Sequence, residues 1–173
     1  MGELIDIMMQ RRSIRKYTTE DIPPDKLERI VQAGLLAPTS RNRKPCEFYI
    51  IRDRNKLKEL SSAKQAGGQF LADAAAAIAV FADEDKADTW VEDSSIALAY
   101  MNLMAEEQGI GSCWIQMHLR KDADNSDAED NCRRILGAPE RSRIVGILAL
   151  GIPAEHREQI ALDDLDMTKV HEL

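Results

Sequence analysis

Residues 10–17, QRRSIRKY, gather Arg11, Arg12, Arg15 and Lys16 around Ser13, directly after the apolar run Leu4, Ile5, Ile7, Met8 and Met9. Arginine presents a rigid fork of donors that matches phosphate oxygens bidentately and keeps its charge at any working pH. A hydroxyl and several backbone amides in the same few residues complete a donor set suited to a phosphate monoester. The competing reading is structural: these cations cap the last carbonyls of a first helix and pair with surface acids. Short basic motifs arise by chance, so RRSIR taken alone favours the structural reading.

The other residue types that do chemistry form no recognisable device. His118, His156 and His171 are scattered, with no HExxH and no histidine pair at helical spacing, so no metal site is expected. Cys46, Cys113 and Cys132 are odd in number and widely spaced, which argues for free, mostly buried thiols rather than a disulfide framework or a CxxC zinc site. No GxSxG is present, and GIGS (109–112) lacks the GxGxxG spacing of a dinucleotide fingerprint. The acid pairs Glu106–Glu107 and Asp163–Asp164 read as solvated faces.

Charge narrows the ligand. The chain carries a formal net charge of −7, but residues 1–64 sum to +5 and residues 65–173 to −12. So acidic a remainder matches nucleic acid poorly, whereas a small anion held locally fits. At 173 residues and 44% hydrophobic the chain can bury a core, and no linker, repeat or low-complexity tract divides it, so one domain over 1–173 is expected. Charged residues interrupt every apolar run, and MGELIDIMMQRR lacks a cationic leader and a cleavage site. No membrane partner is therefore expected, and the protein reads as cytoplasmic.

The elements that must position the cations follow from periodicity. Residues 3–12 have helical spacing. Leu27, Ile30, Val31 and Leu35 place a helix over 24–36, opened by Pro24 and closed before Pro38, and the polar loop PTSRNRKP follows it. EFYIIR (47–52) reads as a strand, RNKLKELSSA as a surface helix, and AAAAIAVFAD (74–83) as a strand buried on both faces. From Asp88 to Gln108 a long helix, apolar nearly all round between Ile96 and Met104, is expected to be the central buried one, with Gly109 as its cap. IGSCWIQM follows as a strand, Ser126 and Glu129 have capping-box spacing before a helix ending at Gly137, and RIVGILALG (143–151) is the last strand. Irregular spacing of the strands argues for α+β rather than a βαβ array.

Three segments shift the balance when taken together with RRSIR: APTSRNRKP after a helix, GIGSCWIQ after the buried helix, and LALGIPAEHR closing the last strand. In this order they make the chain resemble the FMN-dependent nitroreductase family in its compact form, from Ile5 to Val170. The resemblance implies a nitroreductase-like α+β fold, with a central, mostly antiparallel sheet flanked by helices. It also implies an intertwined homodimer with two FMN sites built across its interface. By position, Arg11 resembles the family's phosphate-binding arginine, and Arg12 and Ser13 match residues touching the phosphate and the pyrimidine edge. Arg15 stands where a cation approaches flavin N1 and the C2 carbonyl, a place where fixed positive charge stabilises the negative charge of two-electron reduction. Thr39, Ser40, Asn42 and Lys44 match the loop that reaches the flavin bound mainly by the other subunit. Trp114, Ile115, Gln116 and Met117 match the strand and turn lying against the ring, with a backbone amide near N5; a core role is the default for a tryptophan such as Trp114. Arg157 resembles a basic residue that closes on the phosphate, while His156 reads as a surface side chain. Lys44 and Cys46 depart from the pattern, standing where Gln and Trp are common.

The activity so implied is ping-pong: NADH or NADPH passes hydride to flavin N5 and leaves, and a small-molecule electron acceptor, nitroaromatic or quinone-like, takes its place. The flavin performs the chemistry, so no catalytic side chain is assigned. The alternative is a flavin-binding or redox-responsive protein without significant NAD(P)H-driven turnover. The chain is also short of the extra helices that larger members place over the ring, so an open pocket is expected.

Overall fold

Periodicity translates directly into elements in the computed structural model, which describes residues 3–173. A short α1 (Leu4–Gln10) precedes α2 (Pro24–Leu36), whose Leu27, Ile30 and Ala33 bury one face behind an opening proline. In α3 (Arg54–Ser61) the Asp53 carboxylate accepts the Asn55 and Lys56 amides at 2.9 and 3.0 Å, a side-chain cap on otherwise unpaired donors. The long α4 (Trp90–Glu107) ends where Gly109 adopts φ +68° and the Ile110 amide reaches back to the Ala105 carbonyl at 2.8 Å. Last comes α5 (Ala128–Leu136), stopped by Gly137 at φ +67°.

Four strands, β1 (Cys46–Ile51), β2 (Ala76–Asp83), β3 (Gly111–Gln116) and β4 (Ser142–Gly151), form one antiparallel sheet in the order β1-β2-β4-β3. The two central strands are covered on both faces, which is why their sequences read as continuous apolar runs. Ile78, Val80, Leu148 and Leu150 pack with α2 and α4 through Ile30, Leu98 and Met101. Ala77, Phe81 and Ile147 meet Leu57 and Leu60 of α3 and Cys132 of α5 on the opposite face. The β2–β4 register shifts between Val80 and Phe81, and at this irregularity Gly146 lets the Trp114 indole lie close: a Cβ there would come within 2.7 Å of its Nε1.

Three local expectations are corrected. The first helix ends at Gln10, not at 12, because the Arg11 amide makes the closing bond to the Ile7 carbonyl at 2.9 Å and the chain then turns to join the sheet. Helix α4 is not buried all round: Ala99 and Tyr100 are exposed and Ile96 and Leu103 half-buried, since α2 and the sheet cover one side of it only. Ser126 and Glu129 form no capping box. The helix starts at Ala128, and Glu129 turns inward to ionic partners in the core. Beyond β4, residues 152–173 bury no side chain, and among the described residues no helix is long and apolar enough to cross a membrane.

Candidate functional site

The cationic stretch is stitched to the edge of the sheet. Ser13 bridges Ser112 in parallel, and the Ile14 amide donates to the Ser112 carbonyl at 2.9 Å. Tyr17 bridges Pro153, with the Thr18 amide on the Ile152 carbonyl at 2.8 Å and the Ala154 amide on the Lys16 carbonyl at 2.9 Å. Two glycines permit this close approach. A Cβ at Gly111 would lie 2.9 Å from Ile14, and one at Gly151 would lie 2.7 Å from the Tyr17 ring. Ile14 is buried and the Tyr17 hydroxyl donates to the Ile14 carbonyl at 2.7 Å, so two side chains anchor the segment from beneath. Burial pushes the Tyr17 phenol far above its ordinary value and also raises the neighbouring Cys113 thiol, which leaves both uncharged.

The arginines of this stretch keep their charge available. Arg12 donates to the Glu158 carbonyl, and the Arg15 guanidinium lies 5.8 Å from the centre of the Phe70 ring. Among the described residues no carboxylate forms an ion pair with Arg11, Arg12 or Arg15. Glu106 of α4 is near enough to Arg11 to feel its charge without pairing with it. An open cleft of about 590 Å³ borders the segment, lined among others by Arg12, Ile14, Gly111, Glu155, His156 and Arg157. Arg157 thus faces the same cleft as Arg12, and its guanidinium is paired with Glu155 at 3.3 Å.

The strand expected to lie against a ring divides its residues between two faces. Ile115 and Met117 are fully buried in the cluster over α3 and α5, so they can offer a ligand their backbone only. Trp114 and Gln116 stay half-buried on the other side, joined by an indole N–H donating to the Gln116 Oε1 at 3.1 Å. Two residues here carried no signal in the sequence. Lys64, just beyond the segment that reads as a surface helix, donates to the Gln116 carbonyl at 3.2 Å; burial, then the nearby Arg120, lowers its pKa. Glu155 accepts the Arg15 and Lys16 amides at 2.6 and 3.2 Å.

Thr39, Ser40, Asn42 and Lys44 lie elsewhere. Their loop precedes β1, where Pro45 and Cys46 adjoin the end of β2 and the start of β4, whereas RRSIR adjoins the end of β4. Three strand spacings and the length of β4 put these corners about 15 Å apart across the sheet and about 30 Å along it. Within the loop, Arg41, Asn42 and Lys44 all have positive φ, at 51°, 55° and 49°. It is held by the Ser40 amide on Asp93 of α4 at 2.9 Å and by the Lys44 amide on the Thr39 hydroxyl at 3.0 Å.

A part-buried ionic cluster joins the end of β3 to the start of β4. Glu129 accepts from Arg143 Nε at 3.0 Å and from the Ile144 amide at 3.3 Å, and meets His118 Nδ1 at 2.7 Å; Trp90 packs against both His118 and Arg143. Burial pulls the Glu129 carboxyl upward, but the hydrogen bonds from Arg143, His118 and Ile144 outweigh it and hold the group below its ordinary value.

The nitroreductase family profile matches residues 8–67 and 58–152, spanning the RRSIR stretch, the 39–44 loop and the 114–117 strand. This chain belongs to the nitroreductase family. The FMN-dependent nitroreductase from Clostridium difficile R20291 superposes on it with a TM-score of 0.95 at 40% identity, covering 97% of this chain and 98% of that one. An Archaeoglobus fulgidus protein, provisionally named an NADH dehydrogenase/NAD(P)H nitroreductase, is 35% identical over 95% of this chain and 93% of its own length. A nitroreductase-like protein from Desulfovibrio desulfuricans solved in complex with FMN matches with a TM-score of 0.76 at 25% identity over 99% of both chains. The mixed fold and its antiparallel sheet are thus those of the nitroreductases, as the resemblance implied, while the strand order and the separation of the two site regions emerge from the structure.

Proposed function

We propose that this nitroreductase-family chain is an FMN-dependent oxidoreductase that moves reducing equivalents from NADH or NADPH to a small nitroaromatic or quinone-like acceptor, working as a homodimer. The observation that carries the reading is the set of Arg11, Arg12 and Arg15 guanidinium groups held on the β3 edge, without carboxylate partners among the described residues, beside the Trp114–Met117 strand. The residues fit the cofactor. Arg12 and Arg157 line one open cleft, and guanidinium donors are of the kind a phosphate requires.

In this reading Arg11, Arg12, Ser13 and Arg157 hold the phosphate, and Arg15 supplies fixed positive charge at the pyrimidine edge. The strand from Trp114 to Met117 offers backbone donors, with Ile115 and Met117 pinned in the core so that the strand cannot shift. FMN held by these residues would supply the two-electron redox chemistry between the nicotinamide donor and the acceptor, each served in turn. The chain's own task is to bind, orient and fix charge.

Two observations support the homodimer. Thr39, Ser40, Asn42 and Lys44 stand at the corner of the sheet diagonal to RRSIR, so one chain does not bring both groups to one ligand, whereas a second copy supplies the missing loop. Exposed Leu35 and Leu36 at the end of α2 and Tyr100 on the open face of α4 form apolar surface that a second copy would cover. Purified protein is expected to be yellow and dimeric by light scattering, and anaerobic NADH or NADPH should bleach the flavin band. Bound flavin that neither donor reduces would overturn the enzymatic reading, and a colourless monomer that ignores added FMN would overturn all of it.

A further inference from the structure

Among the described residues three glutamates line the cleft, Glu106, Glu155 and Glu158, and Glu155 is the one whose carboxylate is bonded to the basic segment. Glu155 borders the same space as Arg12 and Arg157, and its side chain is only 15% exposed. A negative charge beside a phosphate site repels the ligand, so its presence requires a reason. The geometry supplies one. Oε1 accepts two consecutive main-chain amides, from Arg15 at 2.6 Å and from Lys16 at 3.2 Å, and Oε2 takes the Arg157 guanidinium at 3.3 Å. Glu155 also follows directly on Ala154, whose amide is bonded to the Lys16 carbonyl. One carboxylate therefore ties the basic segment, through its backbone, to Arg157, which reaches this cleft from the C-terminal side.

We propose that Glu155 is a positioning residue for the phosphate end of the cofactor site. It holds the Arg15–Lys16 backbone in register with the sheet edge and fixes Arg157 on the cleft that Arg12 also lines. The inference rests on the FMN reading above. Its bonds explain why a carboxylate tolerates this position: the Arg15 amide above all, then Arg157 and the Lys16 amide, keep its pKa below the ordinary carboxylate value, so it stays charged at working pH. The charge is directed at fixed donors and is thereby largely spent before a phosphate arrives.

A carboxylate that acted only through its charge and one that acted by positioning predict opposite signs. Removing a repulsive charge should strengthen phosphate binding, whereas removing the strut should weaken it. The readout is the ratio of FMN to riboflavin affinity, measured by fluorescence quenching on full-length protein stripped of flavin. That ratio isolates the phosphate, because a general disturbance of the fold lowers both affinities alike. Glu155→Gln is expected to lower the ratio about tenfold, the loss of roughly one charge-assisted contact, with riboflavin affinity within about twofold of wild type. Glu155→Asp, which keeps the charge and shortens its reach, should lower the ratio as well, and it decides the matter should Glu155→Gln not melt cooperatively. Arg157→Gln should cost less in the Glu155→Gln background than in wild type, since its anchor on Glu155 is already lost. A ratio that stays unchanged or rises in Glu155→Gln, or falls in FMN and riboflavin affinity equally, overturns the inference. A wild-type chain with no preference for FMN over riboflavin overturns instead the cradle reading on which it rests.

Discussion

Residues 13–18 and residues 39–44 are both polar, cation-rich stretches that follow a helix, yet the structure treats them in opposite ways. The first is laid along an edge strand, bonded through its backbone at Ile14, Lys16 and Thr18 and pressed onto two glycines. The second stands away from the sheet with Arg41, Asn42 and Lys44 in the left-handed region, a conformation costing about 1 kcal/mol for each residue with a side chain. Local strain of this kind persists only where surrounding contacts impose it, here the Ser40–Asp93 bond and the Arg43 bond to the Lys86 carbonyl. The difference teaches which half is prepared in advance. In the function proposed above, the basic edge is the part prepared in advance and the loop is the part that a second copy would use.

The strongest way to break this comparison is to remove what underlies both halves. Glu129 ties His118, which follows β3, to Arg143 of β4, and Trp90 of that cluster lies one turn before Asp93, the anchor of the loop. Glu129→Ala should cost about 3 kcal/mol of unfolding free energy in urea, because it leaves the buried Ile144 amide unpaired and strips the bonds to half-buried Arg143, which keeps only Glu84. The same group sets an acid limit. Its carboxyl titrates lower in the folded chain than the ordinary 4.5, so between the two values the unfolded chain binds more protons. Its contribution is complete above pH 4.5 and is lost as pH falls through the folded value, and Glu129→Gln should flatten that part of a stability–pH curve.

Next in size is Arg11→Ala, expected to weaken FMN about thirtyfold, or about 2 kcal/mol, while the apo melting temperature hardly moves. Equal effects on binding and melting would return Arg11 to a helix cap. Gly151→Ala should cost about 1.5 kcal/mol of stability, since a methyl 2.7 Å from the Tyr17 ring must push the basic edge off the sheet. FMN affinity should fall with it. Arg41→Gly sharpens the contrast from the other side: relief of the left-handed strain should stabilise the fold by about 0.5 kcal/mol in urea melts. A loss of similar size would show that the loop gains more from its side chain than it stores in its backbone.

Much of this was legible beforehand, for reasons that differ by residue. Pro24, Gly109 and Gly137 mark helix ends through backbone geometry that any chain must obey, and they appear where expected. Ala76–Asp83 reads as a doubly buried strand because its composition leaves no other place for it. Glu129 was misjudged because capping-box spacing is a local signal, and the partners that turn it inward, His118 and Arg143, lie 11 and 14 residues away. Lys64 and Glu155 gave no signal, since a lysine just after a surface helix and a glutamate in a polar tail are ordinary until the fold brings them beside Gln116 and Arg15. Helix α4 was expected to be enclosed because apolar composition reports that a face will be covered, not which chain covers it.

The sequence by itself determined the helices and strands, the position of the cation cluster and the family pattern, since periodicity, caps and motif order are properties of neighbouring residues. Only the tertiary structure decided that RRSIR becomes an edge of the sheet, that the 39–44 loop stands at the diagonal corner, and that one glutamate is a core ion and another a strut. Those outcomes depend on strand order and on pairings between distant segments, whose energies exist only once the whole chain has closed on itself.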